Sequence, residues 1–139
     1  MNVVIMGSGR TGSELARMLD EAGHDVTVID WSERAFSRLS DTFRGSTVLG
    51  NAVDQDVLRQ AGITSADVFV SATSGDNRNI MACQVVREVF EVPRIVSRIK
   101  DPNRAGFFAA LGIDVDCRTT QGSQVLLNRV ANEGLQPTP

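Results

Sequence analysis

Near the start of the chain, six residues (Gly7-Ser8-Gly9-Arg10-Thr11-Gly12) join an apolar run to an amphipathic one. The run before them, Asn2–Met6, reads as a β-strand. After them, Thr11–Ala22 carries Leu15, Met18 and Leu19 at helical spacing, with Gly23 as a stop. Each glycine has a task in such a strand-to-helix turn. Gly7 permits the tight bend, Gly9 lets an anion approach the backbone, and Gly12 lets the helix pack close to the strand. Taken alone, G-x-G-x-x-G is common. Between a strand and a helix it is the phosphate-binding fingerprint, and the free N–H groups and helix dipole then favour an anion. The plain alternative is a tight turn that holds nothing.

The same alternation continues along the chain. Asp25–Asp30, Ser46–Leu49, Val68–Ala72, Arg94–Ile99 and Val115–Cys117 read as further strands. Between them lie helical patterns. One opens at an N-cap Ser32 and runs through Phe36, Leu39 and Phe43. Val53–Ala61 is closed by Gly62, and Asn77–Phe90 has Ile80, Met81, Val85 and Val89 as its apolar face. Asp101-Pro102 starts a helix that ends at Gly112, and Gln121–Asn132 is the last. Six strands in this rhythm predict an α/β fold: a Rossmann-type, doubly wound parallel sheet of order 3-2-1-4-5-6. One domain is expected over residues 1–132, with a flexible tail over 133–139 and no second lobe.

Composition narrows the function classes. A net charge of −3 with no basic run gives no footprint for nucleic acid. No apolar stretch reaches the roughly 18 residues of a membrane helix, and no leader precedes the first strand, so a cytoplasmic protein is expected. Cys83 and Cys117 are in no metal-ligand spacing and read as free buried thiols; His24 reads as a surface turn residue. No metal site and no catalytic constellation is expected, for lack of a Lys–Tyr pair, a Cys–His pair or a carboxylate dyad.

The remaining candidates cluster around the loop. Asp30 ends the second strand where an acid can accept from both ribose hydroxyls and repel a 2′-phosphate, with Arg34 nearby as a counterweight; capping the next helix is the alternative. Trp31 beside it belongs to the same site. Asn51 and Ala52 follow the third strand, where the adenine would lie, and Thr73 ends the fourth at the switch point; an ordinary turn and a helix cap compete with these roles. Arg10 stands inside the glycine loop, where its fork can reach phosphate oxygens. Arg98 interrupts an apolar strand near its carboxyl end, and either faces a ligand or pairs with Asp101.

The stretches VVIMGSGRTGSELARMLDEAGHDVTVID, GNAVD, SATSGDNRNIMACQVV and IVSRIKDPNRAGFFAALGIDV together resemble the N-terminal nucleotide-binding domain of the TrkA / RCK (regulator of K⁺ conductance, or KTN) family. The resemblance covers Asn2 to about Asn132. It implies a non-catalytic, cytoplasmic regulatory domain that binds NAD(H), ATP or ADP at the inner face of the cell membrane and gates a potassium channel or transporter subunit. It further implies phosphates on Gly7–Gly12, ribose on Asp30, adenosine near Asn51, Ala52 and Thr73, and terminal phosphates near Arg10 and Arg98. A homodimer with Gln121–Asn132 crossing to the partner is implied, and assembly into an octameric ring. One loop departs from the family pattern: Ser74-Gly75-Asp76-Asn77-Arg78-Asn79 is less acidic than its counterparts and carries an arginine. A small NAD-dependent oxidoreductase, or the cofactor half of one, is the alternative that the loop and Asp30 fit equally.

Overall fold

The computed structural model describes residues 1–132, so the expected tail over 133–139 lies outside the described residues. Six parallel strands form one sheet of order β3-β2-β1-β4-β5-β6. They are β1 (Asn2–Met6), β2 (Asp25–Asp30), β3 (Ser46–Leu49), β4 (Val68–Ser71), β5 (Arg94–Arg98) and β6 (Asp114–Asp116). The helices are α1 (Arg10–Glu21), α2 (Gln55–Gln60), α3 (Asp76–Val85), α4 (Pro102–Ala110) and α5 (Arg118–Val130). The expected doubly wound order is therefore the observed one, with strand ends within one or two residues of expectation.

Central strands of a covered parallel sheet must be apolar on both faces. In β1, Val4 and Met6 face one way, and pack with Ile29 of β2, Phe69 of β4 and Leu58 of α2. Val3 and Ile5 face the other way, against Ala16 of α1 and Val26 and Val28 of β2. β1 sits between β2 and β4, with Ile5 level with Val28 on one side and Val70 on the other. The carboxyl ends of β2, β1 and β4 thus open side by side on one edge.

Three expected elements change on folding. The segment after β2 is a 3₁₀ turn over Glu33–Arg38, ending at Leu39, where an α-helix through Phe43 was expected. Ser32 precedes it but its side chain makes no capping bond. The long helix after β4 is α-helical only to Val85; Val86–Phe90 form a π turn that ends on Glu91 in the left-handed region (φ 53°). Its buried face is Asn79, Ala82, Cys83 and Val86, while Met81 and Val89 of the expected apolar face are exposed. The last helix starts at Arg118, ahead of the expected Gln121. It buries no residue: Val125, Leu126, Leu127 and Val130 are all more than half exposed.

Both cysteines are free and buried, as expected. Among the described residues no helix is long and apolar enough to cross a membrane, and no group of His, Cys, Asp or Glu could hold a metal ion.

Candidate nucleotide cavity

The glycine loop is shaped by its neighbours. Gly7 has φ 107°, a backbone that L side chains rarely adopt, and its N–H donates to the Ile29 carbonyl at 2.8 Å. Gly9 is the N-cap of α1, with no side-chain cap and no acid in the helix's first turn. The first N–H groups of α1 therefore keep their capacity for an external anion. A Cβ on Gly9 would have no heavy atom within 4 Å, so this position opens outward. A Cβ on Gly12 would stand 1.8 Å from the Gly7 carbonyl oxygen, so helix and turn touch there backbone to backbone.

A cavity of about 430 Å³ lies against this loop, within the range that small-molecule sites occupy. The structure brings ten of the twelve expected residues to its wall: Gly7, Gly9, Arg10 and Thr11 from the loop, Asp30 and Trp31 after β2, Asn51 and Ala52 after β3, Thr73 after β4, and Arg98 at the end of β5. Ser8 and Gly12 do not line it. Ser8 is fully buried, its hydroxyl donating to the Ala35 carbonyl at 3.0 Å and its N–H to Asp30 Oδ2 at 2.9 Å. Its contribution is to hold the loop, and Gly12 contributes close packing.

Asp30 is more occupied than its sequence position suggests. Oδ2 accepts from Ser8 and Oδ1 accepts the Ser32 N–H at 2.9 Å, a local turn bond ahead of the 3₁₀ turn and not a cap on it. Each oxygen retains a further lone pair for an outside donor. Thr73 is likewise divided: it lines the cavity, but its hydroxyl donates to Asn79 Oδ1 at 2.6 Å and accepts from the Gly75 N–H at 3.2 Å. Asn51 lines the cavity with its Oδ1 accepting from the Val53 N–H.

Sequence reasoning missed three side chains. Asn79 is fully buried; its amide donates to the carbonyls of Thr73 at 3.0 Å and Arg98 at 2.7 Å, and so ties the ends of β4 and β5 together. Arg38, at the end of the 3₁₀ turn, lines the cavity where Arg34 does not. Arg78 lines it from the first turn of α3, its guanidinium 4.0 Å from the centroid of the Trp31 ring.

Arg98 does not pair with Asp101, which sits 3.7 Å from Arg104 instead. Its Nε is buried with no hydrogen-bond partner among the described residues. Buried N–H groups are rarely left so, and Arg98 lines the cavity with this unmet donor in its side chain. Counting charges sharpens the point. Arg10, Arg38, Arg78 and Arg98 share the wall with one carboxylate, Asp30, and none of the four lies in a salt bridge with a described residue. A chain of net charge −3 has concentrated positive charge in this one crevice.

Residues 3–117 match the family described as the TrkA-N domain. The chain is 44% identical over 137 residues to a Trk system potassium uptake protein TrkA of Streptomyces coelicolor, an alignment that covers 99% of this chain and 61% of that protein. The chain spans about half to three fifths of the length of such curated relatives. Among solved structures it resembles the GsuK channel bound to NAD, with TM-score 0.78 and 28% identity over 95% of this chain and 23% of that one. A GsuK structure bound to ADP is similar as well, with TM-score 0.76 and 28% identity over 97% of this chain and 34% of that one.

Proposed function

The chain belongs to the TrkA-N domain family, and from that premise we propose that it is a nucleotide-sensing regulatory domain for membrane potassium transport, not an enzyme. The observation that carries this reading is the cavity itself: an uncapped helix start behind open Gly9, ringed by four arginines in no salt bridge with a described residue. That charge pattern suits a polyphosphate. NAD(H), ATP or ADP is the ligand class, supported by the NAD and ADP named for the similar GsuK structures.

The residues divide the ligand between them. Gly7, Gly9 and Thr11 offer backbone donors to phosphates, and Asp30 accepts from a ribose whose hydroxyls are unphosphorylated. Asn51 and Ala52 border the adenosine half. Arg10 and Arg98 neutralise the outer phosphates by charge-assisted hydrogen bonds. A ligand shifts a conformational equilibrium only by binding two states unequally. A triphosphate that draws Arg10 and Arg98 to one pole does so, and a dinucleotide that leaves one arginine unmatched does so less. The partner is a membrane potassium channel or transporter subunit at the inner face of the cell membrane, as the relatives' names suggest. The wholly exposed α5, which carries Val125, Leu126, Leu127 and Val130 in solvent, supports a homodimer, with a ring of such pairs beneath a pore as the larger assembly.

Calorimetry of the chain with NAD, NADH, ATP and ADP tests the reading. Binding of at least one is expected. Arg10→Ala should weaken ATP by about 10- to 100-fold, the loss of one hydrogen bond to a charged group. NAD should weaken much less. Equal losses for the two ligands refute the role of Arg10, and a protein that binds none of the four refutes the whole reading.

A further inference from the structure

Trp31 follows β2 and Arg78 lies in α3, which follows β4; β1 and its glycine loop lie between those strands. The 4.0 Å stack of the Arg78 guanidinium on the Trp31 ring therefore bridges the two sides of the crevice. Both residues line the cavity, and Trp31 is 58% exposed. Arg78 makes no salt bridge with a described carboxylate. A Cβ on Gly75 would fall 2.8 Å from Arg78 Nε, in the space the arginine occupies.

A cation on an exposed ring is held weakly, whereas a guanidinium on a phosphate makes paired, charge-assisted hydrogen bonds. An entering polyphosphate thus offers Arg78 the stronger partner. We infer that Arg78 and Trp31 form a latch across the cavity that a nucleotide parts, the Arg78 guanidinium passing from the indole to the phosphates. The inference rests on the nucleotide reading above. It assigns to Arg78 both a barrier to entry and a phosphate contact, and the two pull in opposite directions for different ligands. Adenosine, which has no phosphate, meets only the barrier. ATP meets the barrier and collects the contact.

Trp31 is the only tryptophan and the chain has no tyrosine, so the intrinsic fluorescence of the protein reports on the latch. Titration of wild type and Arg78→Ala with ATP and with adenosine, followed at Trp31 and by calorimetry, separates the two roles. Arg78→Ala is expected to weaken ATP about tenfold and to tighten adenosine about two- to fivefold. In the nucleotide-free protein it should raise acrylamide quenching of Trp31. Its melting temperature should match the wild type. Arg78→Lys, which keeps a charge but not the paired donors, should recover part of the ATP affinity that Arg78→Ala loses. Adenosine binding that fails to tighten, or quenching that fails to rise, overturns the latch while ATP binding by wild type leaves the nucleotide reading standing. Wild type that binds neither ligand overturns the latch, and the nucleotide reading falls with it only when NAD, NADH and ADP also fail to bind.

Discussion

Gly12→Ala puts the closest backbone contact of the loop to a direct test. A Cβ at this position would lie 1.8 Å from the Gly7 oxygen and 2.8 Å from the Gly7 carbonyl carbon. Ordinary contact begins near 3.4 Å, so the oxygen has to retreat by about 1.6 Å. Neither atom belongs to a flexible side chain. Retreat pulls Gly7 away from the Ile29 carbonyl it bonds at 2.8 Å, or lifts α1 from the sheet where Ala16 is fully buried. Overpacking of this kind costs about 1–3 kcal/mol, and a broken backbone hydrogen bond about 1 kcal/mol more. The better helix propensity of alanine returns up to about 1 kcal/mol. A net loss of about 1–4 kcal/mol is expected, which lowers the melting temperature of a chain this size by roughly 3–12 °C. Thermal melts and urea titrations followed by circular dichroism measure it. Gly9→Ala is the matched control: its Cβ meets nothing within 4 Å, so stability should change by less than about 0.5 kcal/mol while ATP affinity falls. A Gly12→Ala protein as stable as wild type, or a Gly9→Ala protein equally damaged, refutes the division of labour between the two glycines.

Other consequences are as open to measurement. Asn79→Ala removes a buried amide that donates to two carbonyls and accepts from the Thr73 N–H and hydroxyl, so a loss of about 2–4 kcal/mol should appear as a lower urea midpoint. Leu126→Asp on exposed α5 should leave the melting curve of the domain nearly unchanged and shift the mass seen by light scattering toward the monomer; an unchanged mass would count against α5 as the dimer contact. Burial raises the Cys83 thiol above its ordinary value of 9.0, partly offset by hydrogen bonds from Ser71 and Ser97. The unfolded chain then loses its proton first as pH rises, so stability should be complete below about pH 9 and decline above it. Cys83→Ala should flatten that decline, and an unchanged slope would assign it to other groups.

What could be read in the sequence was whatever local pattern decides. NVVIM and DVTVID are rich in β-branched residues and form strands here, and Asp101-Pro102 starts a helix by its own geometry, with Asp101 accepting from the Asn103 N–H. The strand order followed because right-handed crossovers leave few alternatives. The misses depend on contacts between distant segments. A π turn at Val86–Phe90 rotates the end of the α3 segment, so a helical wheel drawn through Val89 points its apolar face the wrong way. Ser32 was read as a cap from its type, but Asp30 captures the Ser32 N–H and the turn that follows tightens to 3₁₀ form. In the site, residues on the glycine loop and at strand ends were legible because the fold fixes those positions. Arg38 and Arg78 were not, since nothing in their neighbourhoods marks them as facing one cavity; the arginine of the 74–79 loop was the available signal. Asn79 was invisible because its side-chain partners are Thr73, just after β4, and Arg98, at the end of β5.

The edge strand β6 has a mechanical consequence for the whole domain. Its Asp116 lies level with Arg98 of β5 and accepts the Ile99 N–H at 3.0 Å, and α5 begins two residues later at Arg118. One rung of the sheet therefore separates a cavity arginine from the base of a helix that touches little of its own domain. Thirteen residues of α5 extend roughly 20 Å at 1.5 Å per residue. A tilt of about 5° at that base moves the far tip by nearly 2 Å, on the order of a side-chain contact. α5 thus stands on a foot one strand away from Arg98, with its exposed length as the lever arm.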